Sequence, residues 1–150
     1  MKTKIVAMAA VLVVIAGAGI AGISMRAFAS GGGTSVKAEV RLTSPTNPNT
    51  NEPNDALASG KAKSEQRTSP TRIRFAVEVE DVQSEPGDYP VNVNGTQVAT
   101  VHVDSLGFGE LELSSQDCGC TPPTVVAGDL VEVIDPATSA VILSGTMVAK

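Results

Sequence analysis

The sequence is poor in the side chains that most often build active sites and ligand pockets. It has no tryptophan, one tyrosine, three phenylalanines, one histidine and two cysteines in 150 residues. Without tryptophan, sugar binding through stacked aromatic rings has little support. The sequence also contains no Gly-x-Ser-x-Gly motif of a hydrolase nucleophile and no phosphate-binding loop. We therefore predict that the protein is not an enzyme and uses no cofactor.

Basic residues are scarce too, and three of the eleven fall within residues 1–29. This segment begins with Lys2 and Lys4, continues with the uncharged apolar run from Ile5 to Ile23, and ends in Ala27-Phe28-Ala29. A positive start, an apolar run and a small-x-small cleavage site are typical of a secretory signal peptide. The run is also long enough to cross a bilayer, so an uncleaved membrane anchor is the alternative. We expect export to the periplasm or the cell exterior, with membrane attachment only if residues 1–29 stay uncleaved.

Removal of residues 1–29 would leave an acidic chain. It would keep 8 basic and all 16 acidic side chains, so its formal net charge would be 8 − 16 = −8. Phosphate backbones and anionic lipid head groups are bound by Lys and Arg, which are in deficit here. The charge therefore argues against nucleic acid as a partner. It leaves a protein or another envelope component as the expected partner.

Alternation of apolar and polar residues indicates the fold class. Ile73, Phe75, Val77 and Val79 occupy every second position, which predicts a strand with one buried face. Similar short runs recur between turn residues, and no helical period is present. The predicted strands cover 36–42, 58–65, 72–82, both arms around 94–95, 108–113, 130–134, 140–144 and 146–148. This pattern predicts one antiparallel β-sandwich with Ig-like proportions and about eight strands over 36–150, after a flexible Gly-rich leader at 30–35.

The hairpin around Asn94-Gly95 is the most specific local signal. Both central residues of a type I′ turn need positive φ, which Asn-Gly tolerates well. A two-residue loop places Val93 opposite Thr96 and Val91 opposite Val98. The apolar phase then slips, which predicts a bulge near Ala99-Thr100. A further bulge is predicted at Gly145.

Several of these runs carry a resemblance. GKAKSEQR, RIRFAVEVEDV, VNVNGTQVATVHV, GELEL, VVAGDLVEVID and ILSGT, between Ala58 and Thr146, resemble a loose group of small exported bacterial proteins of unknown function. The resemblance implies a bacterial β-domain and brings no activity, ligand or site residue with it. The Cys-Gly-Cys segment is not part of the shared pattern.

Two long connections, 43–55 and 114–124, interrupt the strands. The first has three prolines and four asparagines, and the second contains Cys118-Gly119-Cys120. Loops on a rigid β scaffold often carry recognition, so we predict an envelope or extracellular binding or structural module that uses these two loops. Asn47, Asn49, Asn51 and Asp55 are spaced faintly like a calcium loop. The glycine and closing glutamate of such a loop are missing, so a solvated loop is predicted.

Cys118 and Cys120 are the sole cysteines. In an oxidising compartment the expected outcome is a disulfide between them, closing a very small ring. Three alternatives remain open: a soft-metal site for Cu(I) or Zn²⁺, a redox-active dithiol, and pairing between molecules. A metal-handling or redox protein centred on this pair is therefore the alternative function.

We predict no metal site, because two thiolates need further ligands and few are available. Asp117 and His102 are the candidates. His102 lies between Val101 and Val103, so we predict that it points to solvent from a strand.

Overall fold

The structure, a computed structural model, describes residues 33–117 and 119–150. The predictions for residues 1–29, for the first part of the leader and for Cys118 lie outside these residues. The strands are β1 (Ser35–Thr43), β2 (Ser59–Thr68), β3 (Thr71–Glu80), β4 (Gly87–Val93), β5 (Thr96–Val103), β6 (Gly109–Ser114), β7 (Leu130–Ile134), β8 (Val141–Thr146) and β9 (Val148–Ala149). All pair antiparallel, and the described residues contain no helix, so the predicted all-β antiparallel fold is confirmed. Accordingly, no helix in this part of the chain could cross a membrane.

The strands form one sheet that closes on itself. The order around the ring is β1-β2-β3-β6-β5-β4-β7-β8 and back to β1, with β9 as a short addition beside β1. β1 pairs with β2 along its whole length and returns to β8 at Thr43 and Ser144. The predicted β-sandwich of two separate sheets is therefore corrected to a closed barrel of eight strands. Both architectures need the same alternation along each strand, so the pattern in the sequence fits either one.

Two pairs of neighbouring strands in the ring are joined by very few residue pairs. β5 and β6 share the single pair Val103 and Gly109, and β8 meets β1 at one pair, which β9 extends by two. A Cβ added to Gly109 would lie 2.5 Å from the carbonyl oxygen of His102, and one added to Gly145 would lie 2.7 Å from Cγ2 of Val40. Glycine at these positions leaves room for the neighbouring strand to approach closely.

Local predictions in the strands met mixed outcomes. Asn94 and Gly95 have φ of 51° and 77°, and Val93 pairs with Thr96, as predicted. The predicted bulge is present, with Val98, the residue just before Ala99-Thr100, as the extra residue, so Val91 pairs with Ala99 rather than with Val98. The predicted bulge at Gly145 is wrong: Gly145 pairs regularly with Val131, and the register of this hairpin shifts between Val133 and Ile134.

The barrel interior is filled by the inward side chains of every long strand, as in other small barrels. Residues that are at most 1% exposed include Leu42, Ala62, Phe75, Val77, Val79, Tyr89, Val91, Val101, Val103, Val131, Val133 and Leu143. Tyr89 donates its hydroxyl to the carbonyl oxygen of Glu85 at 2.6 Å. Burial raises the pKa of the Tyr89 phenol, so the hydroxyl keeps its proton and remains a donor.

Candidate functional site

The connections between strands fall into two sets at opposite ends of the barrel. We call the end formed by 44–58, 81–86, 104–108 and 135–140 the acidic end. The end formed by 69–70, 94–95 and 115–129 is the lid end. The two loops singled out in the sequence, 43–55 and 114–124, therefore lie at opposite ends. β1, which runs between the ends, is about 26 Å long at the usual rise of a strand. A small ligand cannot contact both loops at once.

Loop 43–55 is held to the acidic end by Asp55, which is buried. The carboxylate of Asp55 accepts the backbone N–H of Ala58 at 3.2 Å and that of Gln83 at 2.9 Å. The N–H of Asp55 in turn donates to the hydroxyl of Ser44 at 2.9 Å. Asp55, which the sequence placed in a weak calcium-like spacing, therefore fastens the loop to the β3–β4 connection.

A second buried carboxylate, Asp135, orders the β7–β8 turn at the same end. It accepts the backbone N–H groups of Ala137 at 2.7 Å and Thr138 at 3.4 Å, and the hydroxyl of Ser84 at 3.3 Å. Burial opposes ionisation of this group, but these hydrogen bonds outweigh it and lower the pKa of Asp135 below its ordinary value. Asp135 is therefore an anion that holds two connections together.

Acid should destabilise the fold partly through Asp135. A carboxyl whose pKa is lower in the folded state adds stability above its unfolded pKa of about 3.9, and that stability is lost as the pH falls through the folded pKa. We expect the free energy of unfolding to be nearly constant from about pH 7 to pH 5 and to drop below about pH 4. Urea denaturation across this range should show a shallower drop for Asp135→Asn than for wild type. Glu52→Gln, an exposed change at the same end, should leave the profile unchanged; equal profiles for all three proteins would contradict the assignment.

The acidic end also presents three large apolar side chains to solvent. Leu57, Leu106 and Phe108 are 62%, 75% and 47% exposed. The carboxylate of Asp104 accepts the backbone N–H groups of Leu106 at 2.8 Å and Phe108 at 3.0 Å, which fixes this turn. The four connections at this end carry six carboxylates, Glu52, Asp55, Asp81, Glu85, Asp104 and Asp135, and no lysine or arginine. The acidic end thus combines fixed, exposed apolar groups with negative charge.

Loop 114–124 leads into a segment that covers the lid end. Pro122 and Val125 are buried, and the hydroxyl of Ser64 donates to the carbonyl oxygen of Val125 at 2.6 Å. Asn94 ties the hairpin to the same segment, donating to Asp129 at 2.9 Å and accepting the N–H of Leu130 at 2.9 Å. The N–H of Val126 and the side chain of Asn94 lower the pKa of Asp129. This segment therefore closes the barrel.

The residues considered as metal ligands are not brought together. His102 points to solvent, as predicted, and its Nδ1 lies 2.8 Å from Oδ1 of Asp88 near the acidic end. Asp117 lies at the lid end, with Oδ2 3.7 Å from Nη2 of Arg72. β6 runs between the two regions, about 17 Å at five strand steps. The described residues hold no cluster of three or more potential ligands, and the disulfide and metal hypotheses for Cys118 and Cys120 stay predictions.

The basic residues are confined to one side of the barrel. Residues 1–29 hold three of the 11 lysines and arginines; the other eight lie on β1, β2 and β3 or at the C-terminal Lys150. Carboxylates on the same strands neutralise many of them, in pairs such as Lys61 with Glu39 at 2.9 Å and Lys63 with Glu78 at 2.9 Å. A depression of about 300 Å³ lies over Ala76 among these side chains. The four carboxylates on these strands, Glu39, Glu65, Glu78 and Glu80, offset half of the eight basic side chains there.

No protein-family model matches this sequence, and no curated protein matches it. A function for this protein therefore has to be inferred from the residues and geometry of the barrel itself.

Proposed function

We propose that the protein is an exported, non-enzymatic bacterial binding module that recognises a protein partner with its acidic end. The observation that carries this proposal is the exposure of Leu57, Leu106 and Phe108 at one end of the barrel. Exposed apolar groups contribute to affinity when a partner removes them from water. The buried Asp55 and the turn at Asp104 hold the connections that display them, which lowers the entropy lost on binding.

Charge defines the kind of partner surface that would fit. The connections around these apolar side chains carry carboxylates and no cation, so the complementary surface has an apolar centre and a basic rim. Opposite charges would speed the encounter and make it sensitive to salt. A partner of this kind is a protein rather than an anionic lipid surface, which the same carboxylates would repel.

The two loops predicted to bind are given different roles in this proposal. Loop 43–55 lies beside the exposed apolar groups and belongs to the binding surface. Loop 114–124 contains the buried Pro122 and leads to the buried Val125, so its role is to close the barrel. This division is supported by the hydrogen bond from the hydroxyl of Ser64 on β2 to the carbonyl oxygen of Val125, which joins segment 115–129 of the lid end to β2.

Removing the apolar groups at the acidic end should abolish partner binding. We expect the triple variant Leu57→Ser, Leu106→Ser and Phe108→Ser to recover at least about tenfold less partner than wild type, because these are the anchors of the proposed interface. The measurement is affinity purification from the exported fraction of the source cells, followed by quantitative mass spectrometry.

The matched control replaces three exposed valines away from the acidic end. Val36, Val126 and Val148 are 58%, 41% and 63% exposed, so their replacement by serine also removes exposed apolar groups. This variant should recover the same partner as wild type. Equal recovery by both triple variants, with both folded by circular dichroism, would refute binding through the acidic end.

A further inference from the structure

β5 and β6 are adjacent in the barrel but are joined by one ladder pair at one end, and the gap between the rest of the two strands is called the seam here. Val103 pairs with Gly109, and in the described residues no ladder joins the remainder of these two strands. β5 is paired along its other side with β4, and β6 with β3. Beyond this point, Thr96–Val101 on β5 and Leu111–Leu113 on β6 each have one side on which no ladder to the other strand forms.

Apolar side chains along the seam are less covered than their neighbours in the same layer. Phe75 and Val77 on β3 are fully buried, whereas Leu113 and Leu111, which pair with them on β6, are half-buried. Across the seam, Val98 and Ala99 on β5 are half-buried as well. These four residues pack against the core and still face water, as expected beside a missing strand.

Proline shows which backbone groups of β5 point into the seam. Pro90 lies opposite Thr100 in the β4–β5 ladder and has no N–H to donate. This is therefore a non-hydrogen-bonded pair, in which the N–H and C=O of Thr100 point away from β4. They point toward β6, where the ladder has already ended. Val101, the next residue, has the opposite orientation and bonds to β4.

The outer side of the seam carries uncompensated negative charge. Glu110 pairs in register with Glu78, which places two carboxylates side by side, and Glu78 is already bound to Lys63 at 2.9 Å. Within the described part of the chain Glu110 has no cationic partner, and the outward side chains of β5 include no lysine or arginine. A second copy pairing through β6 would bring further glutamates together, which disfavours self-association at this edge.

We propose that the β5–β6 seam binds an extended segment of a partner protein that adds as a β-strand, with apolar side chains facing Leu111 and Leu113 and Lys or Arg side chains facing Glu110. Strand addition would satisfy the open edge of Thr100 and complete the burial of both leucines. This surface lies on the side of the barrel and does not depend on the apolar groups of the acidic end.

A peptide in which valine and lysine alternate is a suitable probe, with its valine–glutamate counterpart as the control. Amide hydrogen exchange followed by NMR reports on the seam directly. In the free protein the amide of Thr100 should exchange faster than that of Val101. The lysine peptide should slow exchange at Thr100 and leave Val101 unchanged, while the glutamate peptide should have no effect.

The variant Glu110→Lys tests the charge without endangering the fold, because it relieves the contact with Glu78. It should weaken binding of the lysine peptide by about tenfold and allow the glutamate peptide to bind. Unchanged exchange at Thr100 with saturating lysine peptide would overturn the proposal. Slower exchange at higher protein concentration without peptide would also overturn it, in favour of self-association. Neither result depends on the triple serine variant, so the two surfaces are tested separately.

Discussion

Replacing Gly109 with alanine should destabilise the barrel by about 3 kcal/mol, which is a large part of the stability of a domain of this size. The added methyl group would lie 2.5 Å from the carbonyl oxygen of His102 and close to the side chains of Val79 and Val101. The carbonyl belongs to the backbone of β5 and cannot rotate away as a side chain could. Relief requires β5 and β6 to separate, and Val103 and Gly109 form the only ladder pair that joins these strands in the described residues.

Gly87→Ala is the matched control for this prediction. Gly87 also lies in a strand, but an added Cβ there meets nothing within 4 Å, and its φ is not in the left-handed region. We expect a change within about 0.5 kcal/mol, with a slight gain possible from the stiffer unfolded chain. Urea denaturation of wild type and both variants provides the comparison. Equal stabilities of the two alanine variants would mean that β5 and β6 do not approach as closely as the structure shows.

A third glycine, Gly145, illustrates how far the sequence predicts the fold. Alternation from Ile73 to Val79 and the Asn94-Gly95 turn identify strands and a hairpin, because these signals are local. Whether β1 meets β2 and β8 in a ring depends on contacts between residues distant in sequence. A glycine within a strand suggested a bulge at Gly145. In the structure Gly145 instead lets β1 pass close by, because an added Cβ would lie 2.9 Å from the carbonyl oxygen of Arg41. The local alternation of apolar and polar residues therefore cannot distinguish a sandwich from a barrel.

Some features of the candidate site could be predicted from the sequence, and others depend on the order of the strands. The exposure of His102 follows from its place between two inward valines, so alternation predicted it correctly. The opposite positions of the two long loops follow from the order of strands around the ring, which the sequence does not display. The exposure of Leu106 and Phe108 was not predicted, because an apolar residue in a turn or at the start of a strand can be either buried or exposed. A turn with Asp at its start, here Asp104, is the signal that could have placed them outside.

Asp55 has the second large predicted effect, and its importance arises entirely from tertiary contacts. Its partner Gln83 is 28 positions away in the chain. We expect Asp55→Ala to lower the free energy of unfolding by about 3 kcal/mol, because the N–H groups of Ala58 and Gln83 would lose a charged acceptor at a buried site. Glu52→Ala, an exposed change in the same loop, should cost less than about 0.5 kcal/mol.

Asp55→Asn separates the shape of this side chain from its charge. Asparagine has nearly the same shape but one acceptor oxygen, so its NH₂ group must face one of the two N–H donors. Its stability should therefore lie close to that of the alanine variant rather than midway to wild type. Amide exchange at Ala58 and Gln83 should accelerate in both variants and remain slow in Glu52→Ala. If Asp55→Asn were as stable as wild type, a single acceptor would suffice, and Asp55 would not hold loop 43–55 to the β3–β4 connection through both oxygens.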